Sequence, residues 1–223
     1  MSSTNIPPRV HIGEVIRNAV VFNPANHQDR LVNTDSLLET VAQFFGLLEE
    51  RQIDYVLVGG IALLQYVEGR NTEDVDLIMG VSDLEQLPEL NVETRNADFA
   101  QSRFGDLKVD VLFASNPLFE RVRKHHTITR RFVERDIPCA SVEGLILLKL
   151  YALPSLYRQG NFTPVGLYEN DVATLMHSHG PNIESLLSEL PSHLDDSDMR
   201  QVNQIVAEIK QRLDRFDSTK NSD

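Results

Sequence analysis

The sequence predicts an α+β chain, with a small mixed β-sheet flanked by helices over residues 1–140 and a helical unit over 141–223. Two runs, Asp74 to Met79 and Leu107 to Phe113, place apolar residues at every second position, as half-buried strands do. Helical spacing precedes and separates these runs, and from Ser141 onward the pattern is helical throughout.

In chain order, residues 1–13 and Asp217 to Asp223 are polar and aperiodic, so loosely held ends are expected. Thr34 or Asp35 can cap a helix to about Gln52, in which Leu37, Leu38, Val41, Phe44, Phe45 and Leu48 recur at helical spacing. Tyr55 to Val58, ended by Gly59 and Gly60, is a buried strand, and a short helix follows from about Ile61 to Val67. Val81 to Leu90 is helical, and Phe99 to Phe104 is a further strand. Thr127 to Ala140 alternates β-branched and charged residues, as an antiparallel pair or an edge strand would. Ser141 can cap a helix through Ala152; Pro154 to Tyr168 reads as a long loop, and helices are expected at 169–178, 182–190 and 196–216. The last carries Met199, Val202, Val206, Ile209, Leu213 and Phe216 on one stripe, which would either face its own domain or form a homodimer seam.

Composition excludes several classes. The longest nearly apolar run, Tyr55 to Leu64, falls well short of the roughly 20 residues a membrane span needs. Met1 to Pro8 lacks the basic start and apolar stretch of a secretory signal, so a cytoplasmic protein is expected. The single cysteine, Cys139, rules out an intrachain disulfide and a multi-cysteine zinc site. A formal net charge of −12 argues against a surface that wraps nucleic acid broadly, while leaving room for a local basic site.

Chemistry concentrates between Tyr55 and Gly80. Asp74 and Asp76 alternate on one strand, so their side chains leave the same face with Cα atoms about 7 Å apart. Asp110 sits among Val109, Val111 and Phe113 with the same alternation, and if the two strands are neighbours it lands beside that pair. Three converging carboxylates repel one another unless cations neutralise them. Hard oxygen ligands on a rigid sheet suit Mg2+ or Mn2+, and two such ions can clamp the attacking and leaving oxygens of a phosphoryl displacement. Gly59 and Gly60, between a strand and a helix, allow backbone to approach a phosphate closely. Taken alone, an Asp-x-Asp pair could equally be the wet face of an edge strand.

Gly59, Gly60, Asp74, Asp76 and Asp110 resemble the motif of the DNA polymerase β-like nucleotidyltransferase superfamily, with a thirteen-residue gap at the long end of the family's range. Within it, Gly59-Gly60-Ile61-Ala62 followed by Arg70-Asn71-Thr72-Glu73-Asp74-Val75-Asp76 is similar to the AbiEii and related toxin-type enzymes of prokaryotes. The resemblance is specific over residues 53–80, fair to about 115 and loose beyond. It implies a nucleotidyltransferase core over 1–140, with an NTP as cosubstrate and a divalent metal held by Asp74, Asp76 and Asp110. Arg70 and Thr72 would contact nucleotide or support the metal ligands. The implied acceptor is a hydroxyl of tRNA or protein, and the implied partner a cognate antitoxin. The same core could instead serve an antitoxin-like or regulatory modifier of a protein, or a silent nucleotide-binding module.

Lys149 interrupts the apolar helix Leu145 to Leu150, either snorkelling to water or holding the triphosphate. Toxin-type relatives pair such a lysine with a later aspartate, and Asp171 looks like that residue, orienting Lys149 or acting as a base; Thr174 stands where some relatives carry a second acid. Arg121 to Arg135 holds six basic residues and one acid, which would either receive triphosphate or an RNA end, or be a solvated hairpin balanced by acidic neighbours.

Overall fold

One mixed sheet and nine α-helices make up the described residues, 9–23 and 36–220, of this computed structural model. Thr34 and Asp35, expected as helix caps, lie outside them. The described chain divides into two compact units. The first runs up to Arg123 and includes Thr127–Ala140; the second takes Lys124–His126 and the described residues from Ser141 onward.

The first unit begins with α1 (Ile12–Phe22), which starts inside the loose end expected over residues 1–13 and runs through a segment without a predicted element. Ile12, Ile16 and Ala19 recur on one face of it and are buried. Its entry is tied down by Val133 N–H donating to the Val10 carbonyl and Gly13 N–H donating to Glu134. His11 Nδ1 lies 2.9 Å from Glu134 Oε1 and 3.4 Å from Glu14 N. His11 is the N-cap of α1, its Nδ1 accepting from Glu14 N–H. Next comes α2 (Ser36–Glu50), whose Leu37, Val41, Phe44, Phe45 and Leu48 are buried as the periodicity predicts.

The strands follow as β1 (Tyr55–Val58), β2 (Asp74–Met79), β3 (Asn91–Arg95), β4 (Phe99–Phe104), β5 (Leu107–Phe113), β6 (Thr127–Arg131) and β7 (Asp136–Ala140). Their spatial order is β3-β4-β5-β2-β1-β7-β6. The β1/β2, β3/β4, β4/β5 and β6/β7 pairs are antiparallel, whereas β2/β5 and β1/β7 are parallel. Short helices α3 (Gly59–Leu63), α4 (Val81–Glu85) and α5 (Pro117–His125) join them. β3 is absent from the sequence expectation because all five of its residues are exposed, which leaves no alternation to read.

One face of the sheet is apolar. Tyr55, Leu57, Val75, Leu77, Met79, Val109, Val111 and Phe113 are buried on it. The rings of Phe45 and Tyr55 and of Phe44 and Phe104 meet at centroid distances of 6.2 and 5.4 Å, so α2 covers this face. Strict alternation then sends Asp74, Asp76 and Asp110 to the other face.

The second unit contains α6 (Val142–Arg158), α7 (Phe162–His179), α8 (Ile183–Glu189) and α9 (Asp196–Lys220). Ser141 caps α6, accepting from Gly144 N–H. The predicted loop at 154–168 does not exist: α6 continues through Pro154 to Arg158, and only Gln159 to Asn161 separate it from α7. An internal proline forfeits a hydrogen bond and costs about 3 kcal/mol. Here Leu150, Leu153 and Pro154 are all buried, and the packing of α6 against α7 and α9 outweighs that loss. On α9, Val202, Val206 and Ile209 are buried within the unit, so this part of the stripe packs on its own helices, while Phe216 is exposed. Among the described residues no helix is long and apolar enough to cross a membrane.

Candidate functional site

Two adjacent parallel strands bring the aspartates together. Asp76 is the register partner of Asp110, and Asp74 that of Lys108. One carboxylate oxygen from each of Asp74, Asp76 and Asp110 lies within 4.8 Å of the other two, and all three residues are half-buried. The Asp110 pKa is raised, first by burial and then by the charge of Asp74; Lys108 and the Gln101 side chain oppose the rise. Lys108 is itself held by Glu73 at 3.2 Å. Three hard oxygen donors whose mutual repulsion already perturbs one member are a fitting donor set for Mg2+ or Mn2+.

The glycine pair is built against these carboxylates. Gly59 has φ +64°, and a Cβ there would lie 1.8 Å from Asp76 Oδ2. A Cβ on Gly60 would lie 2.6 Å from the Cβ of Thr72. Thr72 in turn donates its hydroxyl hydrogen to Asp74 Oδ1. The start of α3 therefore rests directly on the acidic cluster through side-chain contacts that only glycine permits. Arg70 belongs to the same loop, where its guanidinium donates to the Asn71 carbonyl.

Thus Gly59, Gly60, Thr72, Asp74, Asp76 and Asp110 meet in the first unit. Lys149 and Asp171 meet in the second, where Lys149 Nζ donates to Asp171 Oδ2 at 2.8 Å and lies 4.2 Å from the centre of the Tyr168 ring. Both side chains are buried, at 7% and 5% exposure, which excludes the snorkelling alternative for Lys149. Half of the basic cluster is paired with acidic neighbours. Arg123 pairs with Asp54 and Glu120, Arg131 with Asp136, and Arg135 with Glu49, while Arg130 stacks over Tyr66. Three of the six basic residues are thus ion-paired, as the balanced-hairpin alternative expects.

Gln101, Lys108 and Glu73 also border the aspartates, and the sequence offers no direct signal for them. Only the β4/β5 and β2/β5 registers reveal that Gln101 faces Asp110 and Lys108 faces Asp74.

No family model matches the chain, and no curated protein matches it. Among solved structures, an antigenic nucleotidyltransferase-like protein from Paracoccidioides brasiliensis aligns at 16% identity over 86% of this chain and 95% of its own, with a TM-score of 0.44. The antibiotic-resistance factor ANT(2'')-Ia in solution aligns at 13% identity over 83% and 97%, with a TM-score of 0.49. The same factor in complex with adenylyl-2''-tobramycin aligns at 14% over 78% and 97%, with a TM-score of 0.47.

Proposed function

We propose that the first unit is the catalytic part of a metal-dependent nucleotidyltransferase, moving a nucleoside monophosphate from an NTP to an acceptor hydroxyl. The observation that carries this is the convergence of Asp74, Asp76 and Asp110 within 4.8 Å, directly against a glycine turn. Asp74, Asp76 and Asp110 hold the divalent cation, with Asp74 kept in place by the Thr72 hydroxyl. A cation bound there supplies charge neutralisation and Lewis acidity toward the α-phosphate. Asp110, whose proton affinity is raised, accepts the proton of the acceptor hydroxyl. The acceptor oxygen forms its bond to the α-phosphorus as the bond to pyrophosphate breaks, and pyrophosphate leaves. Gly59 and Gly60 bare backbone toward the phosphates.

The run from Gly59 to Asp76 supports a finer reading, that of a toxin-type enzyme with tRNA or protein as acceptor, restrained by a cognate antitoxin. Lys149 and Asp171, which match the lysine and aspartate of such enzymes, belong to that reading.

The experiment is incubation with each α-labelled NTP and Mg2+ or Mn2+, with candidate acceptors, followed by measurement of label transfer and pyrophosphate release. Transfer that requires metal and disappears in the Asp74→Asn, Asp76→Asn double variant supports the assignment. Transfer that persists in that variant sinks it.

A further inference from the structure

We infer that Gln101, braced by Thr94, is a positioning residue that holds the Asp110 carboxylate in its metal-binding and proton-accepting orientation. The inference rests on the transferase assignment above, under which Asp110 is a reacting group.

Gln101 stands directly opposite Asp110 on the antiparallel neighbour strand, on the same face as the three aspartates. Opposed residues in such a pair carry Cβ atoms about 4.5–5.5 Å apart, within reach of an amide and a carboxylate. The Gln101 side chain is close enough to the Asp110 carboxylate to count among the groups that lower its proton affinity. An ionised carboxylate can only accept, so the amide nitrogen must be the atom facing Asp110. The amide's other end is independently fixed: Thr94 Oγ1 donates to Gln101 Oε1 at 3.0 Å. The hydroxyl thus selects the amide flip that presents N–H to Asp110.

Thr94 reaches this place through an irregularity in the sheet. β3 pairs regularly with β4 at Asn91 and Val92, and then skips Glu93, so that Thr94 falls opposite Gln101. In an unbroken register Glu93 would stand there and Thr94 would face Ala100, on the apolar side. The bulge places the Thr94 hydroxyl, rather than Glu93, opposite Gln101, while Glu93 is held by Arg103 and still raises the Asp110 proton affinity through its charge. The Asp74 charge acts against an ionised Asp110, and the amide on the outer strand is placed to steady that carboxylate. One acceptor position on Asp110 goes to the amide, which leaves others for a cation and a proton.

The test compares the wild type with Gln101→Leu, Thr94→Val and the double variant, all at exposed positions where folding is checked by urea denaturation. Mn2+ binding to the NTP-free protein is read from the EPR signal of free Mn2+, and transfer is read as kcat and KM separately. Gln101→Leu is expected to weaken Mn2+ binding and lower kcat by about tenfold to a hundredfold, with KM for the NTP little changed. Thr94→Val should give a smaller loss in the same direction, and the double variant should be no worse than Gln101→Leu, because the hydroxyl acts through the amide. Wild-type Mn2+ affinity and kcat in Gln101→Leu, or additive effects in the double variant, would overturn the inference while leaving the transferase assignment standing. A wild type that binds Mn2+ yet transfers no nucleotide overturns the assignment instead, and the Mn2+ titration then decides on Gln101.

Discussion

The carboxylate of Asp76 occupies the space in which a side chain on Gly59 would begin, with Oδ2 1.8 Å from where that Cβ would lie. Gly59 therefore fixes where the second carboxylate can stand, besides supplying a left-handed turn at φ +64°. Gly69 separates the two roles, since it too is left-handed, at φ +78°, but has nothing within 4 Å of its Cβ position. Gly69→Ala should cost about 1–2 kcal/mol and leave Mn2+ binding intact. Gly59→Ala should cost at least as much and abolish Mn2+ binding. Urea denaturation and Mn2+ titration on the two variants check this, and retained binding in Gly59→Ala would refute the stated contact.

Metal should stabilise the chain measurably. A cation that binds the folded aspartates and not the unfolded chain adds about 2.7 kcal/mol at a hundred times its dissociation constant. Differential scanning calorimetry with and without Mn2+ should show a rise in Tm for the wild type and none for the Asp74→Asn, Asp76→Asn double variant. The metal-free double variant should be the more stable of the two metal-free proteins, because like charges within 4.8 Å have been removed.

Burial, and then Asp74, raise the pKa of Asp110 above the ordinary carboxylate range. The metal-free native state therefore holds its proton to higher pH than the unfolded chain does. Stability falls as pH rises from the ordinary carboxylate value through the raised one, and is level above it. Urea midpoints in chelator across mildly acidic pH should show this decline, and Asp110→Asn should flatten it. Mn2+ competes with that proton, so its affinity should weaken as pH falls through the same window.

Removing the carboxylate from the buried Lys149–Asp171 pair should be far more damaging than removing the pair. Asp171→Leu leaves a buried ammonium without its carboxylate partner and should cost about 3–5 kcal/mol. Lys149→Met with Asp171→Leu should recover most of that loss. Denaturant unfolding of both variants measures the difference.

Cys139 lies fully buried on β7, with its thiol pKa pushed up by burial. Iodoacetamide should label it only through unfolding, so the labelling rate should rise with urea alongside the loss of structure.

Alternation around Asp74, Asp76 and Asp110 was legible because a strand with one buried face imposes a period of two on its apolar residues. Adjacency of β2 and β5 followed only conditionally, since strand order is a long-range property. Where one face is not buried the pattern vanishes, as in β3, and with it the bulge that brings Thr94 to Gln101. Pro154 misled in the opposite direction: a local breaker signal was overridden by the burial of the helix around it. Ile12, Ile16 and Ala19 did carry a helical spacing, but on a segment too short and too close to polar residues to stand out.

The position of β1 between β2 and β7 has a consequence for synthesis on the ribosome. Strands β1 to β5 are complete once Phe113 has been made, yet the partner for the outer edge of β1 arrives only with Asp136–Ala140. Until then Tyr55–Val58, four apolar residues, presents an unsatisfied edge of the kind that recruits other chains. The nascent protein thus passes through an interval in which the strand leading into its glycine turn is also an adhesive edge, and pausing or truncation between residues 113 and 140 should send it toward aggregates or chaperones.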